Sequence, residues 1–153
     1  MFRLVGDVAS QAKSLEIASN YRLVTIEELA EWAEALAALN VADRHLLETI
    51  IDARESSVVS FALHQLGDAA DAKLAAKNVL GLLLLKFRSG TVSIGLVSRI
   101  LSELANLGFV VGEGDDSFML LLGDDIDLAE RGIRGDLTEI AVKVDEFLAQ
   151  SSK

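Results

Sequence analysis

Leu23-Val24-Thr25-Ile26-Glu27-Glu28-Leu29-Ala30-Glu31-Trp32-Ala33-Glu34-Ala35-Leu36 is the stretch that decides the fold class. Thr25, with Glu28 three residues later, has the spacing of a capping box. In that motif a hydroxyl and a carboxylate each satisfy a backbone N–H near the start of a helix. Behind the cap, Ile26, Leu29, Ala33 and Leu36 recur at helical spacing and predict one apolar stripe. Trp32 lies beside Leu29, Ala33 and Leu36 and is expected in the core.

The same pattern continues on both sides. Leu46, Leu47, Ile50 and Ile51 predict a second helix beginning near Asn40 or Asp43, and Ser57 to Leu66 a third, closed by Gly67. Asp68 to Arg88 supports a long helix, apolar nearly all round from Val79 to Leu85, as expected of an element central to a bundle. Gly90 can end it in a left-handed turn, and Ser93 can cap the next helix, with Val97, Ile100, Leu101 and Leu104 inward and Gly108 beyond. Asp136 is placed to cap a last helix with Leu137, Ile140, Ala141, Val144 and Phe147 inward, and Glu139 and Lys143 outward. On the N-terminal side, Asp7 to Asn20 reads as a helix with Leu15 and Ile17 inward.

One region permits two readings. Phe109-Val110-Val111 before Gly112-Glu113-Gly114-Asp115-Asp116 fits a strand and a hairpin turn, giving a short β-hairpin near 109–121. It also fits a loop before short helices at Ser117–Leu122 and Asp125–Arg131. The helices are favoured, because Gly132 makes a C-cap and strands are otherwise missing. The expectation is an all-α fold, a single-domain multi-helix bundle over 1–153, with helix content well above the average of roughly one third.

Composition agrees. The 153 residues hold no proline to break a helix and no cysteine for a disulfide, a thiolate metal site or a cysteine nucleophile. A domain this size hides about 68–70% of its unfolded surface without a staple. The longest apolar run, Val79 to Leu85, falls well short of the ~20 residues of a membrane span. The run Met1-Phe2-Arg3-Leu4-Val5-Gly6-Asp7 is too short for a signal peptide. A cytoplasmic protein without a membrane partner is expected.

Chemistry-bearing motifs are missing. His45 and His64 have Ala42 and Phe61 three residues before them, so the Glu-x-x-His of a di-iron bundle fails, and His-Glu-x-x-His is absent. An EF-hand loop started at Asp125 would put Ala129 at position five and Glu130 at position six, where a glycine belongs. Asp115 and Asp116 beside Gly112-Glu113-Gly114 would repel a phosphate. No Gly-x-Ser-x-Gly elbow occurs. The chain is therefore not expected to be an enzyme or to carry a metal or organic cofactor.

Charge is the feature left over. Twenty-four acids against 14 Lys and Arg give a formal charge of −10, which disfavours direct nucleic-acid binding and suits a basic protein partner. Glu113, Asp115, Asp116, Asp124, Asp125, Asp127 and Glu130 form a block with no cation between them. Leu23 to Asp43 forms a second, where helix-start electrostatics explain Glu27 and Glu28 but not Glu31 and Glu34. Glu27 and Glu31, one turn apart, are a like-charge pair costing about 0.2–0.5 kcal/mol. Tyr21, Trp32 and Phe118 are the aromatics beside these blocks. Without a partner, both blocks read as solvated faces.

Three segments carry a resemblance: Leu23 to Ala33, Lys86-Phe87-Arg88-Ser89-Gly90-Thr91-Val92-Ser93-Ile94, and Asp124 to Leu137. Together, at rather less than half of the chain, they resemble small helical bacterial immunity proteins of toxin–immunity systems, including contact-dependent growth inhibition. That resemblance implies an all-helical cytosolic protein that binds a cognate protein toxin, commonly a nuclease, and does no chemistry itself. It assigns no individual binding residue. The alternative from another class is a non-catalytic helical scaffold or regulatory subunit that self-associates through apolar faces. The sequence leaves the oligomeric state open.

Overall fold

The capping box that opens the second helix forms in full. The Glu28 N–H donates to Thr25 Oγ1 at 3.1 Å, and the Thr25 N–H donates to Glu28 Oε1 at 3.0 Å. The structure is a computed structural model describing residues 3–153; Met1 and Phe2, the start of the short N-terminal run, lie outside the described residues. Among the described residues there are eight helices and no strand: α1 (Val8–Asn20), α2 (Ile26–Leu39), α3 (Arg44–Asp52), α4 (Ser56–Leu66), α5 (Ala72–Arg88), α6 (Ile94–Leu107), α7 (Asp115–Glu130) and α8 (Leu137–Ser151). None of them is long and apolar enough to cross a membrane. Contacts divide the chain into two compact units, Met1–Val79 and Leu80–Lys153, with the boundary inside α5.

In the first unit α1 packs on α4, α2 on α3, and α3 on α4. The stripes read from sequence are buried: Leu15 and Ile17 on α1, Leu29, Trp32, Ala33 and Leu36 on α2, Leu47 and Ile50 on α3. Trp32 is 5% exposed, and its Nε1–H donates to Gln11 Oε1 at 2.9 Å. Gly67 lets α4 end against α1, since a side-chain carbon there would lie 3.1 Å from the Lys13 backbone nitrogen. Buried Asn78 fastens the N-terminal segment: its Oδ1 accepts from the Val5 N–H at 2.8 Å, and its Nδ2 donates to the Val5 carbonyl at 2.9 Å. An amide buried with both groups paired avoids the penalty of an orphaned one.

In the second unit α6 packs along α7, and α7 packs on α8. Ser93 caps α6 through the Leu96 N–H, and Gly108 ends it at φ +76°. The α6–α7 approach is close at Gly123, whose carbonyl accepts from Ser98 Oγ at 3.0 Å. A Cβ on Gly123 would meet Ser102 Oγ at 2.7 Å. Val97, Ile100, Leu101 and Leu104 of α6 are buried, as are Met119, Leu122 and Ile126 of α7 and Ile140, Val144 and Leu148 of α8. Arg88 holds Asp145 by two bonds, Nε to Oδ2 at 2.8 Å and Nη2 to Oδ1 at 2.9 Å.

Three boundaries differ from the sequence reading. The hairpin near 109–121 does not form. Asp115 Oδ2 instead accepts from the Gly112 N–H at 2.9 Å, and Gly114, at φ +81°, turns the chain into α7. The glycine-rich turn is thus consumed in starting a helix. The two short helices expected after it are one, because Gly123 sits in the tight α6 contact instead of ending a segment. The long helix begins at Ala72 and not at Asp68, since the Leu74 N–H donates to Asp71 Oδ1 at 3.0 Å and Asp71 is therefore its cap.

Candidate protein-interaction surface

The starting turn fixes which carboxylates of α7 reach solvent. Asp115 is half-buried and committed to Gly112, while Asp116, one residue on, is exposed in the first turn, where the helix dipole favours an anion. Glu113 is exposed in the turn itself. With Met119, Leu122 and Ile126 inward, helical geometry turns Asp124 and Asp127 outward.

The seven acids of this block have different fates. Asp127 pairs with Arg131 one turn on, Oδ2 to Nη1 at 3.1 Å, and Asp125 lies 3.7 Å from Arg134 Nη2. Glu130 reaches over the first turn of α6, where a side-chain carbon on Gly95 would come within 2.8 Å of its Oε1. An anion there faces the positive end of α6. Asp116 and Asp124 form no ion pair among the described residues. The run without cations in the sequence is thus partly neutralised by Arg131 and Arg134, which lie just past its end.

In the first unit, Glu27, Glu31 and Glu34 share the exposed face of α2 at i, i+4 and i+7. None of the three forms an ion pair among the described residues. Glu28 is drawn into the capping box. Of the aromatics beside the blocks, Trp32 is core, and the half-buried Tyr21 has a buried hydroxyl with no hydrogen-bond partner among the described residues. Phe118 is exposed and stacks at a tilt on Phe147, ring centroids 5.1 Å apart.

Sequence reasoning missed the apolar part of the α7 surface. Leu121 is 63% exposed, Phe118 44% and Leu120 37%. The signal was available. Met119-Leu120-Leu121-Leu122 puts four apolar residues in succession on a helix, and a 3.6-residue period cannot bury four in a row on one side. It also missed the pairing of buried Glu16 with Lys13 Nζ at 2.9 Å and His64 Nδ1 at 3.1 Å. That pair joins residues 48 apart in sequence. His45 is exposed on α3.

Among the described residues, no group of three or more His, Asp and Glu side chains is placed to hold a metal ion. No family model, curated protein or solved structure matches the chain.

Proposed function

We propose that this protein is an immunity protein that binds and neutralises a cognate bacterial toxin, a basic nuclease by preference, through its acidic surface. One observation carries the reading: carboxylates that form no ion pair among the described residues stand on the solvent faces of firmly packed helices. Asp116 and Asp124 on α7, with Glu113 in the turn before it, and separately Glu31 and Glu34 on α2 are the clearest cases. Asp115, Asp125, Asp127 and Glu130 belong to the α7 surface but are partly engaged within the chain. A charged surface of this kind speeds encounter and selects the partner, while a few buried contacts hold the complex. The resemblance of three segments to helical immunity proteins points the same way.

Co-expression with the protein encoded immediately upstream tests it. The expected result is a stable complex and protection of growth against that protein. Unprotected growth with no complex would overturn the proposal. A second reading, a self-associating helical scaffold, draws on exposed apolar side chains such as Leu39 and Phe61. It is supported if sedimentation shows an oligomer that persists as salt rises, because apolar contacts are not screened.

A further inference from the structure

We infer that the outer face of α7 is the anchor of the complex: Phe118, Leu120 and Leu121 docking a basic amphipathic segment of the partner, with Asp116 and Asp124 as its charged frame. The inference rests on the immunity reading and narrows its surface to one helix.

Spacing puts Leu121 near the middle of the outer face, with Phe118 on one flank and Leu120 on the other. Leu121 lies one turn from Phe118 and from Asp124, and Leu120 lies one turn from both Asp116 and Asp124. Solitary exposed leucines are ordinary, but Leu121 and Phe118 one turn apart expose two large apolar side chains side by side, with Leu120 exposed round the helix from them, and exposed apolar surface with a polar rim marks an interaction site. The buried side of α7 explains why they are outside: Met119, Leu122, Gly123 and Ile126 already fill the contact with α6 and α8. Phe118 is braced by Phe147, so one side of the patch is held in place before any partner arrives.

Charge selects the occupant. A second copy of this chain would bring its own Asp116 and Asp124 against the same carboxylates, adding repulsion to a molecule already at −10. An anionic membrane surface would be repelled in the same way. A polypeptide with Lys or Arg flanking Leu or Phe satisfies both the apolar centre and its frame.

The test needs no toxin, so its failure is separate from failure of the immunity reading. Two synthetic peptides of equal charge serve as probes, one an amphipathic Leu/Lys helix and one of Lys and Gly. Binding is followed by amide chemical shifts and by titration at two salt concentrations. The expected result is that the Leu/Lys peptide perturbs α7 resonances and binds at least tenfold more tightly than the Lys/Gly peptide. Leu121→Ala should weaken it about tenfold, as removing a central apolar anchor does, and Asp116→Asn with Asp124→Asn about threefold with a flatter salt response. Equal binding of the two peptides, shifts centred on α2, or dimerisation through α7 in sedimentation would each overturn the inference.

Discussion

The two units carry the same charge and use it differently. Each has twelve carboxylates and seven Lys or Arg, so neither is the more acidic half. On α2 the outermost stripe runs Glu27, Glu31, Glu34, Ala38; on α7 the corresponding i, i+4, i+7, i+11 positions are Ser117, Leu121, Asp124, Leu128. The α2 stripe is charge with nothing large to bury. The α7 stripe sets exposed Leu121 one turn from Asp124, with exposed Phe118 and Leu120 on its flanks. In the α2 stripe the carboxylates have only a small residue among them; in the α7 stripe Asp124 stands one turn from an exposed leucine that a partner can desolvate.

The inward and outward faces of α7 give the sharpest contrast in stability. Met119 is fully buried, so Met119→Ala should cost about 2–5 kcal/mol in chemical denaturation. Leu121→Ala, on the opposite face, should stay within about 0.5 kcal/mol of the wild type. A large loss from Leu121→Ala would mean that the outer face is structural.

Asn78→Ala is the next largest effect expected and belongs to the first unit alone. It leaves the Val5 N–H and carbonyl without their partner, a loss of about 1–3 kcal/mol. Thr25→Ala removes one half of the capping box and should cost about 0.5–2 kcal/mol. The start of α7 has no side-chain cap, so Asp116→Asn removes only a dipole interaction of about 0.3–1 kcal/mol.

The smallest effect is in acid. Bonds from Arg88 hold the Asp145 carboxyl below the usual carboxylate range, and bonds from Ser10 do the same for Asp7. A depressed folded-state pKa favours the charged form in the fold, so the stabilisation is present above about pH 4, the ordinary Asp value. It disappears as pH falls through the lower folded-state value. Asp145→Asn should therefore lower stability slightly at neutral pH, where the pairing is fully present, and flatten the profile below about pH 4, where the wild type loses it anyway. An unchanged acid profile would contradict the pairing.

Caps and stripes were legible in the sequence because they are local. Thr25, Asp7, Asp136 and Ser93 each satisfy a backbone N–H within three residues. What sequence left open depends on neighbours far along the chain. Gly123 falls in the gap between the two short helices expected there, and its close fit against Ser98 and Ser102 is not local; Gly112 to Asp115 also fits a hairpin turn. The acidic blocks were visible as composition. Their division into engaged and free carboxylates was not, since Arg131 and Arg134 come after the block. The outward turn of Leu120 and Leu121 was missed, although the run Met119 to Leu122 carried its signal.

On the proposed reading α7, and not net charge as such, meets the partner. Two double variants, Asp116→Asn with Asp124→Asn and Glu31→Gln with Glu34→Gln, change the net charge equally, one on α7 and one on α2. Their association rates with the basic partner should be measured by stopped flow across a salt series. The α7 variant should associate severalfold more slowly with a flatter salt slope, and the α2 variant should stay near the wild type. Equal slowing by both, or the larger effect from α2, would contradict that reading.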